Sequence, residues 1–189
     1  PLDPVAAETA ALAARERRGV LSDLYRSPRD GRVYLDAAAP ISPDVPGAVL
    51  LLRTDAATFL FPRVQAWPAP SASAETILVR RDGDDVLFLN ELRHASGTAL
   101  SLRYPLSRAD LPAAQAALGG TGTREGMDYR GAHVLAELRA VPDSPWRLLA
   151  KVDHSEIFAT EHHLAWAAWA APGAFLMLGA LLALAWRRQ

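Results

Sequence analysis

One stretch near the end of this 189-residue chain constrains everything before it: from 164 to 186, 23 residues pass without a charged side chain. As a helix the run would rise about 35 Å, enough to cross a hydrocarbon core of roughly 30 Å. Tryptophans at 166, 169 and 186 fall near its two ends, where a bilayer interface favours aromatic rings with a polar edge. Arg187 and Arg188 follow at once, whereas Asp153, Glu156 and Glu161 outnumber Lys151 on the other flank. This asymmetry predicts a single membrane span, with residues 1–160 outside the cytoplasm and the C-terminus inside.

About 160 residues outside the span leave room for one medium domain or two small ones. The 20 basic and 21 acidic residues nearly balance, so no polyanion-binding surface is expected and nucleic acid is excluded as a partner. Absence of cysteine excludes disulfides, thiol catalysis and cysteine metal sites. The chain opens on Pro1 without a signal peptide and stops just past the apolar run, which reads as a segment of a longer protein.

Asp3-Pro4 marks a helix start, with Asp as N-cap and Pro at the first helical position. Leu2, Val5, Thr9 and Leu12 form its apolar face, Arg15, Arg17 and Arg18 fill the last turn, and Gly19 supplies the stop. Strands over 31–41 and 47–53 follow, and then Asp55 is placed to cap a helix from 56 onward that Pro62 kinks or ends. About a hundred residues later the grammar recurs. A strand over 131–141, a turn at 142–145 and a strand over 146–152 lead to Asp153, which caps an exit helix. Residues 51–59 align with 149–157, which indicates an internal repeat.

The second copy is more complete. Residues 75–81 and 85–92 make a hairpin around Asp82-Gly83-Asp84. Asp110 is placed to cap a short helix over 111–118, stopped by Gly119-Gly120, and a glycine-rich connection over 119–126 leads into a strand at 127–130. A Pro/Ser-rich connector, 68–74, separates the copies. The expected fold class is α+β: two antiparallel-sheet modules, 1–67 (incomplete) and 75–160, then one transmembrane helix at 164–186 and the start of a cytoplasmic part at 187–189.

The order strand, strand, short helix, three strands, doubled and set outside a membrane helix, resembles the PAS-like double-Cache ectodomains of bacterial sensor histidine kinases and PAS or GGDEF proteins. Residues 74–93, 126–131 and 142–153 carry the resemblance, which covers roughly 20–189. It implies the periplasmic, ligand-sensing region of an inner-membrane receptor, acting as a homodimer. The small residues Ala167, Ala168, Ala171 and Gly173 offer the span a close-packing face. Two departures matter. The membrane-distal module lacks its first strands, and the Arg-Trp-Tyr helix motif associated with amine or amino-acid ligands is absent, which leaves an amino-acid ligand unsupported.

Candidate chemistry is sparse. His154, His162 and His163 with Glu156 and Glu161 sit too far apart along one helix to converge on a metal, and read as a solvated flank. The glycine-rich segment 119–126 has a helix before it and a strand after, the reverse of a phosphate loop. No nucleophile elbow exists, so no catalysis, cofactor or metal is expected. In PAS-like domains the cavity lies between sheet and short helices. Asn90, Arg93, Arg103 and Tyr129, at or just beyond strand ends, are the candidate ligand-binding residues, with a plain polar sheet rim as the other reading of them.

Alternation turns Val134, Ala136, Leu138 and Ala140 to the core together with Trp146, Leu148, Ala150 and Val152. That pairs Leu138 with Ala150 and Glu137 with Lys151, and makes Trp146 the core anchor. The function expected is an extracytoplasmic sensor that couples small-molecule or partner binding to a cytoplasmic output domain. The alternative is a membrane-anchored assembly module with a filled core.

Overall fold

The computed structural model describes residues 2–42 and 47–158. The apolar run 164–186, its small-residue face and the following arginines lie outside the described residues. Among those described, no helix is long and apolar enough to cross a membrane.

Two antiparallel sheets organise the chain. The first follows helix α1 (Pro4–Glu16) and comprises β1 (Val20–Leu21), β2 (Tyr25–Arg26), β3 (Val33–Pro40) and β4 (Val49–Asp55). β4 pairs along one edge of β3, while β1 and β2 share the other. Pro4 opens α1 as expected, but Arg17 at φ 51°, not Gly19, ends it. Its inward face is Ala6, Thr9 and Ala13 rather than Leu2, Val5 and Leu12, and Leu2 is 54% exposed. Alanines let the helix lie close over a sheet face that carries long polar side chains. Asp3 stands at the N-cap without making the capping bond, because its carboxylate is engaged by Arg53. Asp55 accepts the Ala57 N–H at 2.9 Å but stands before a turn over 56–59, not a helix; α2 (Leu60–Gln65) starts later, with Phe59 at its N-cap and Pro62 in its first turn, where no helical donor is lost.

The second sheet takes β5 (Glu75–Asp82), β6 (Asp85–Phe88), β7 (Arg103–Pro105), α3 (Pro112–Ala117), β8 (Gly122–Met127), β9 (His133–Ala140) and β10 (Trp146–Asp153). Its strand order is β7-β6-β5-β10-β9-β8, with β10 central. The β5–β6 turn is the expected two-residue hairpin, with Gly83 at φ +65°. The glycine-rich segment is not a connection: 122–127 is edge strand β8, and 128–132 is a turn rather than a strand. Pairing with β9 overrides weak strand propensity here. A Cβ at Gly126 would stand 2.2 Å from the Asp110 carbonyl, which accepts the Met127 N–H at 2.9 Å. Asp110 therefore holds the strand by its backbone, and Leu111 takes the N-cap position.

Register corrects the expected pairing of β9 with β10. Leu138 faces Leu149, Glu137 faces Ala150 and Ala136 faces Lys151. The α3-facing set of β10 is thus Leu149 and Lys151, and Trp146 and Leu148 turn the other way. An apolar cluster including Ile77, Val79, Phe88, Leu111, Leu138 and Leu149 lies under α3. A second cluster joins the two sheets, with Leu24, Val33 and Phe61 against Leu78, Leu87 and Leu89.

Trp146 packs on this second cluster, and its indole N–H donates to Asp23 at 2.6 Å. It anchors sheet to sheet, not the α3 core. Trp146→Ala is expected to cost about 3 kcal/mol. Trp146→Phe, which loses chiefly the hydrogen bond, should cost about 1 kcal/mol. Urea unfolding of the three proteins checks both, and equal losses for the two variants would contradict the bridging role.

Hairpins β3–β4 and β9–β10 share a pattern. Arg53 faces Asp36, and Lys151, at the aligned position, faces Ala136. Each hairpin follows a similar turn: the Ser27 N–H bonds the Arg32 carbonyl and the Asp128 N–H bonds the Ala132 carbonyl. Gly31 and Gly131 hold φ of +72° and +77° in these turns, a conformation that other residues adopt at a cost.

Candidate functional site

Strand alternation places Lys151 beside Leu149 on the face beneath α3. A buried ammonium is tolerated only if paired and hydrogen-bonded. Two carboxylates do this. Glu75 is the direct cross-strand partner of Lys151 and stands 3.2 Å from its Nζ, while Asp128, in the turn after β8, stands at 2.8 Å. All three residues are 2–3% exposed. The Tyr129 hydroxyl donates to Glu75 at 3.0 Å, and the Lys151 ammonium lies 5.2 Å from the Tyr129 ring centre. Arg130 pairs with Asp128 at 2.7 Å and reaches Asp153, so the network runs from the core to the last residue of β10.

Burial pulls the Asp128 carboxyl upward, but hydrogen bonds from Lys151 and Arg130 outweigh it and hold the group below the usual range. Burial, then the Glu75 charge, push the Tyr129 phenol up, keeping it neutral as a donor. Because the Asp128 pKa is depressed in the fold, its stabilisation is fully present above the unfolded carboxylate value near about 3.9 and disappears as pH falls through the folded value. The melting temperature should therefore hold from pH 7 to 5 and fall steeply below about pH 4. Asp128→Asn should begin lower and show a shallower acid limb, and melts across this pH range read both.

The first sheet repeats the arrangement. Arg53, aligned with Lys151, binds Asp3 at 2.7 Å and Asp36 at 3.0 Å, and both carboxylates are fully buried. Tyr25 donates to Asp36 at 2.6 Å, and the guanidinium lies 4.8 Å from the Tyr34 ring centre. Each sheet thus carries a cation, Arg53 or Lys151, on its α-helical face, held by two carboxylates beside a tyrosine ring.

Of the four expected residues, Tyr129 joins this site through its hydroxyl, and Arg93 touches it through its backbone N–H, which donates to Glu75. Asn90 is fully buried, but its side chain is spent on backbone: it accepts from Leu78 at 2.7 Å and donates to Glu91 at 2.8 Å. Arg103 lies on edge strand β7 and pairs with Asp82 at 2.8 Å. Arg93 is exposed, bonds the Ala74 and Ser71 carbonyls, and lines an open cleft of about 240 Å³ with Gln65, Ala74 and Glu75. A separate cavity of about 10 Å³ is bordered by Phe88, Leu111, Asp128, Tyr129 and Lys151. Ten cubic ångströms hold about one water. Among the described residues, no group of His, Cys, Asp or Glu is disposed to hold a metal ion.

Sequence reasoning missed Glu75, Asp128, Lys151 and the Arg53 group. The signal was a cation recurring at one position of the aligned segments 51–59 and 149–157, inside an apolar strand each time.

No protein-family model matches the chain, and no curated protein does. Solved structures do. The extracellular domain assigned to histidine kinase mmHK1S-Z3 aligns with TM-score 0.58 at 16% identity, over 87% of this chain and 60% of that one. The ligand-binding domain of the Pseudomonas aeruginosa PAO1 amino acid chemoreceptor PctB, in complex with L-Arg, aligns at 0.55 and 17%, over 84% and 64%. That of the Pseudomonas fluorescens chemoreceptor CtaA with L-isoleucine aligns at 0.53 and 15%, over 84% and 62%. The chain spans about three-fifths of the length of these neighbours. At such identities the likeness establishes the fold alone, the one these extracellular and ligand-binding domains share.

Proposed function

We propose that the chain is the extracytoplasmic sensor region of a bacterial inner-membrane signalling receptor. In this reading, residues 1–67 are a partial membrane-distal PAS-like module, 68–74 a connector and 75–160 the membrane-proximal module. The helix entered at 154 leads into a span at 164–186, with the C-terminus cytoplasmic and the receptor a homodimer. One observation carries the reading. The helical turn 154–158 begins directly at the end of β10, the central strand whose Lys151 and Asp153 are tied into the buried network. Any rearrangement of that network shifts the point from which the helix departs.

A small-molecule ligand enters between α3 and the sheet, contacting Tyr129 and the Glu75–Asp128–Lys151 group, with Arg93 at the cleft outside Glu75. Arg103 remains at the rim on β7, and Asn90 stays buried, holding the Leu78 and Glu91 backbone. Because the cavity has room for about one water, uptake requires α3 or the 89–111 segment to move outward. The ligand biases the receptor only by binding one arrangement better than the other. No step of this role is catalytic.

The small cavity also favours a second reading, an anchored assembly module whose filled core holds partners rather than ligands. Thermal melts of the purified chain against the amino acids and C2–C6 amines and carboxylic acids separate the two. A sensor shows a concentration-dependent rise for at least one compound, which follows from binding the folded state alone, and loses it in Tyr129→Phe. Flat melts across the panel favour assembly.

A further inference from the structure

One carboxylate joins the connector between the sheets to the first turn of the exit helix. Glu156, three residues past the end of β10, accepts from the Ser71 hydroxyl at 2.6 Å, the Ala72 N–H at 3.1 Å and the Ser73 N–H at 2.8 Å. It also takes the Ser73 hydroxyl in a short contact. Ser73 Oγ in turn accepts the Asp153 N–H at 3.0 Å, and Ser71 Oγ accepts the Ala74 N–H at 2.9 Å. From the other side the Arg93 guanidinium donates to the Ala74 and Ser71 carbonyls at 2.8 and 3.0 Å. The segment 71–74 contains only serine and alanine, so it has no large side chain with which to pack. Polar bonds are what fix it, and most of them end on Glu156 or Arg93.

The placement gives these bonds a consequence. The connector leaves the first sheet through α2 and enters the second as β5, while Glu156 stands on the helix that leaves β10. β5 and β10 are neighbours, so the connector and the exit helix emerge side by side at one end of the second sheet, where Lys151 faces Glu75. Bonds from the Ser71 and Ser73 hydroxyls and from the connector amides hold the Glu156 carboxyl down at about 2. It is therefore ionised throughout the physiological range, and charge-assisted bonds of this kind are the strong ones.

We propose that Glu156 and the Ser71–Ser73 segment form a latch that fixes the start of the exit helix to the connector, so that the helix follows the first sheet as well as the Lys151 network. The latch stands on the geometry alone, and the relay it serves rests on the sensor reading given above. It supplies a route from the first sheet to the helix that does not pass through the cavity under α3.

The test uses the whole chain, with Glu156→Gln and the gentler Ser73→Ala beside the parent. Because the chain has no cysteine, a pair introduced at Leu50, 64% exposed on the first sheet, and Phe158, 42% exposed on the exit helix, can be spin-labelled for distance measurement. Amide exchange is read on the same proteins. In Glu156→Gln, exchange of the Ala72 and Ser73 amides should quicken about tenfold or more, the change expected on losing a hydrogen bond to a charged group. The label distance should broaden, while Val79 and Leu149 stay protected as evidence of an intact core. Parent-like exchange at Ala72 and Ser73, or an unchanged distance distribution, overturns the latch. The complete receptor then separates the two halves. Loosened latch bonds with parent-like stimulus response overturn the relay and leave the latch standing. A parent receptor without any stimulus-dependent output overturns the sensor reading and the relay with it.

Discussion

Lys151→Met is expected to lower the unfolding free energy by about 3–5 kcal/mol, the range for removing one partner of a buried ion pair. Its ammonium is the central charge of the network, and without it the Glu75 and Asp128 carboxylates face each other across a space that water enters singly. Asp128 keeps Arg130, but Glu75 keeps only the Tyr129 hydroxyl and the Arg93 N–H, so the charge on Glu75 bears most of the loss. Lys151→Arg should also destabilise, because the planar fork needs volume that the packed cavity lacks. Adding Glu75→Gln to Lys151→Met should return part of the stability by removing the stranded charge. Urea unfolding at pH 7 measures all three. A loss below about 1 kcal/mol for Lys151→Met would mean that water reaches the network and screens it.

The way Lys151 escaped sequence reading shows what a strand pattern can and cannot convey. Over 146–152 the residues are Trp, Arg, Leu, Leu, Ala, Lys and Val, one alternate set wholly apolar and the other, Arg147, Leu149 and Lys151, with two cations about one leucine. Trp146, Leu148, Ala150 and Val152 form the cleaner one, and alternation alone turns it inward. β10 is central, however, and both of its faces are covered, one by α3 and the other by the cluster joining the sheets. With both sides buried the binary pattern no longer selects a face. The deciding partners, Glu75 and Asp128, lie 76 and 23 residues away in sequence, beyond any local signal.

Elements specified by local chemistry were legible. Asp82-Gly83-Asp84 placed the β5–β6 hairpin, and Pro4 the start of α1. Elements specified by a tertiary neighbour were not. Glycines at 122 and 126 read as loop until β9 supplies a ladder, and Asn90 reads as a binding residue until Leu78 and Glu91 consume its amide. Tyr129 was legible as a polar aromatic near a strand end, but not the carboxylate it holds.

Arg53→Met should cost about 3 kcal/mol, the lower end for a broken buried pair. Asp3 and Asp36 are both fully buried, which argues for a large loss, but Arg29 stands 3.2 Å from Asp3 and the Tyr25 hydroxyl still bonds Asp36. Arg53 itself retains 30% side-chain exposure, so solvent reaches the vacated place. Arg53→Lys should fall between, about 1–2 kcal/mol, because a point charge cannot satisfy Asp3, Asp36 and the Tyr25 oxygen at once. The double variant with Lys151→Met then asks how the two sheets share stability. Among the described residues they meet through one apolar cluster and through polar contacts that include Trp146–Asp23, Arg80–Asp23 and Arg26–Ala99, which argues for a single cooperative unit despite the connector at 68–74. A single calorimetric transition is expected, with the two losses adding to within about 0.5 kcal/mol, as for distant sites without common partners. Two transitions, one lowered by Arg53→Met and the other by Lys151→Met, would instead make the connector a true boundary between independently folding modules. In that case the Glu156 latch, rather than the apolar cluster, would have to carry any communication between them.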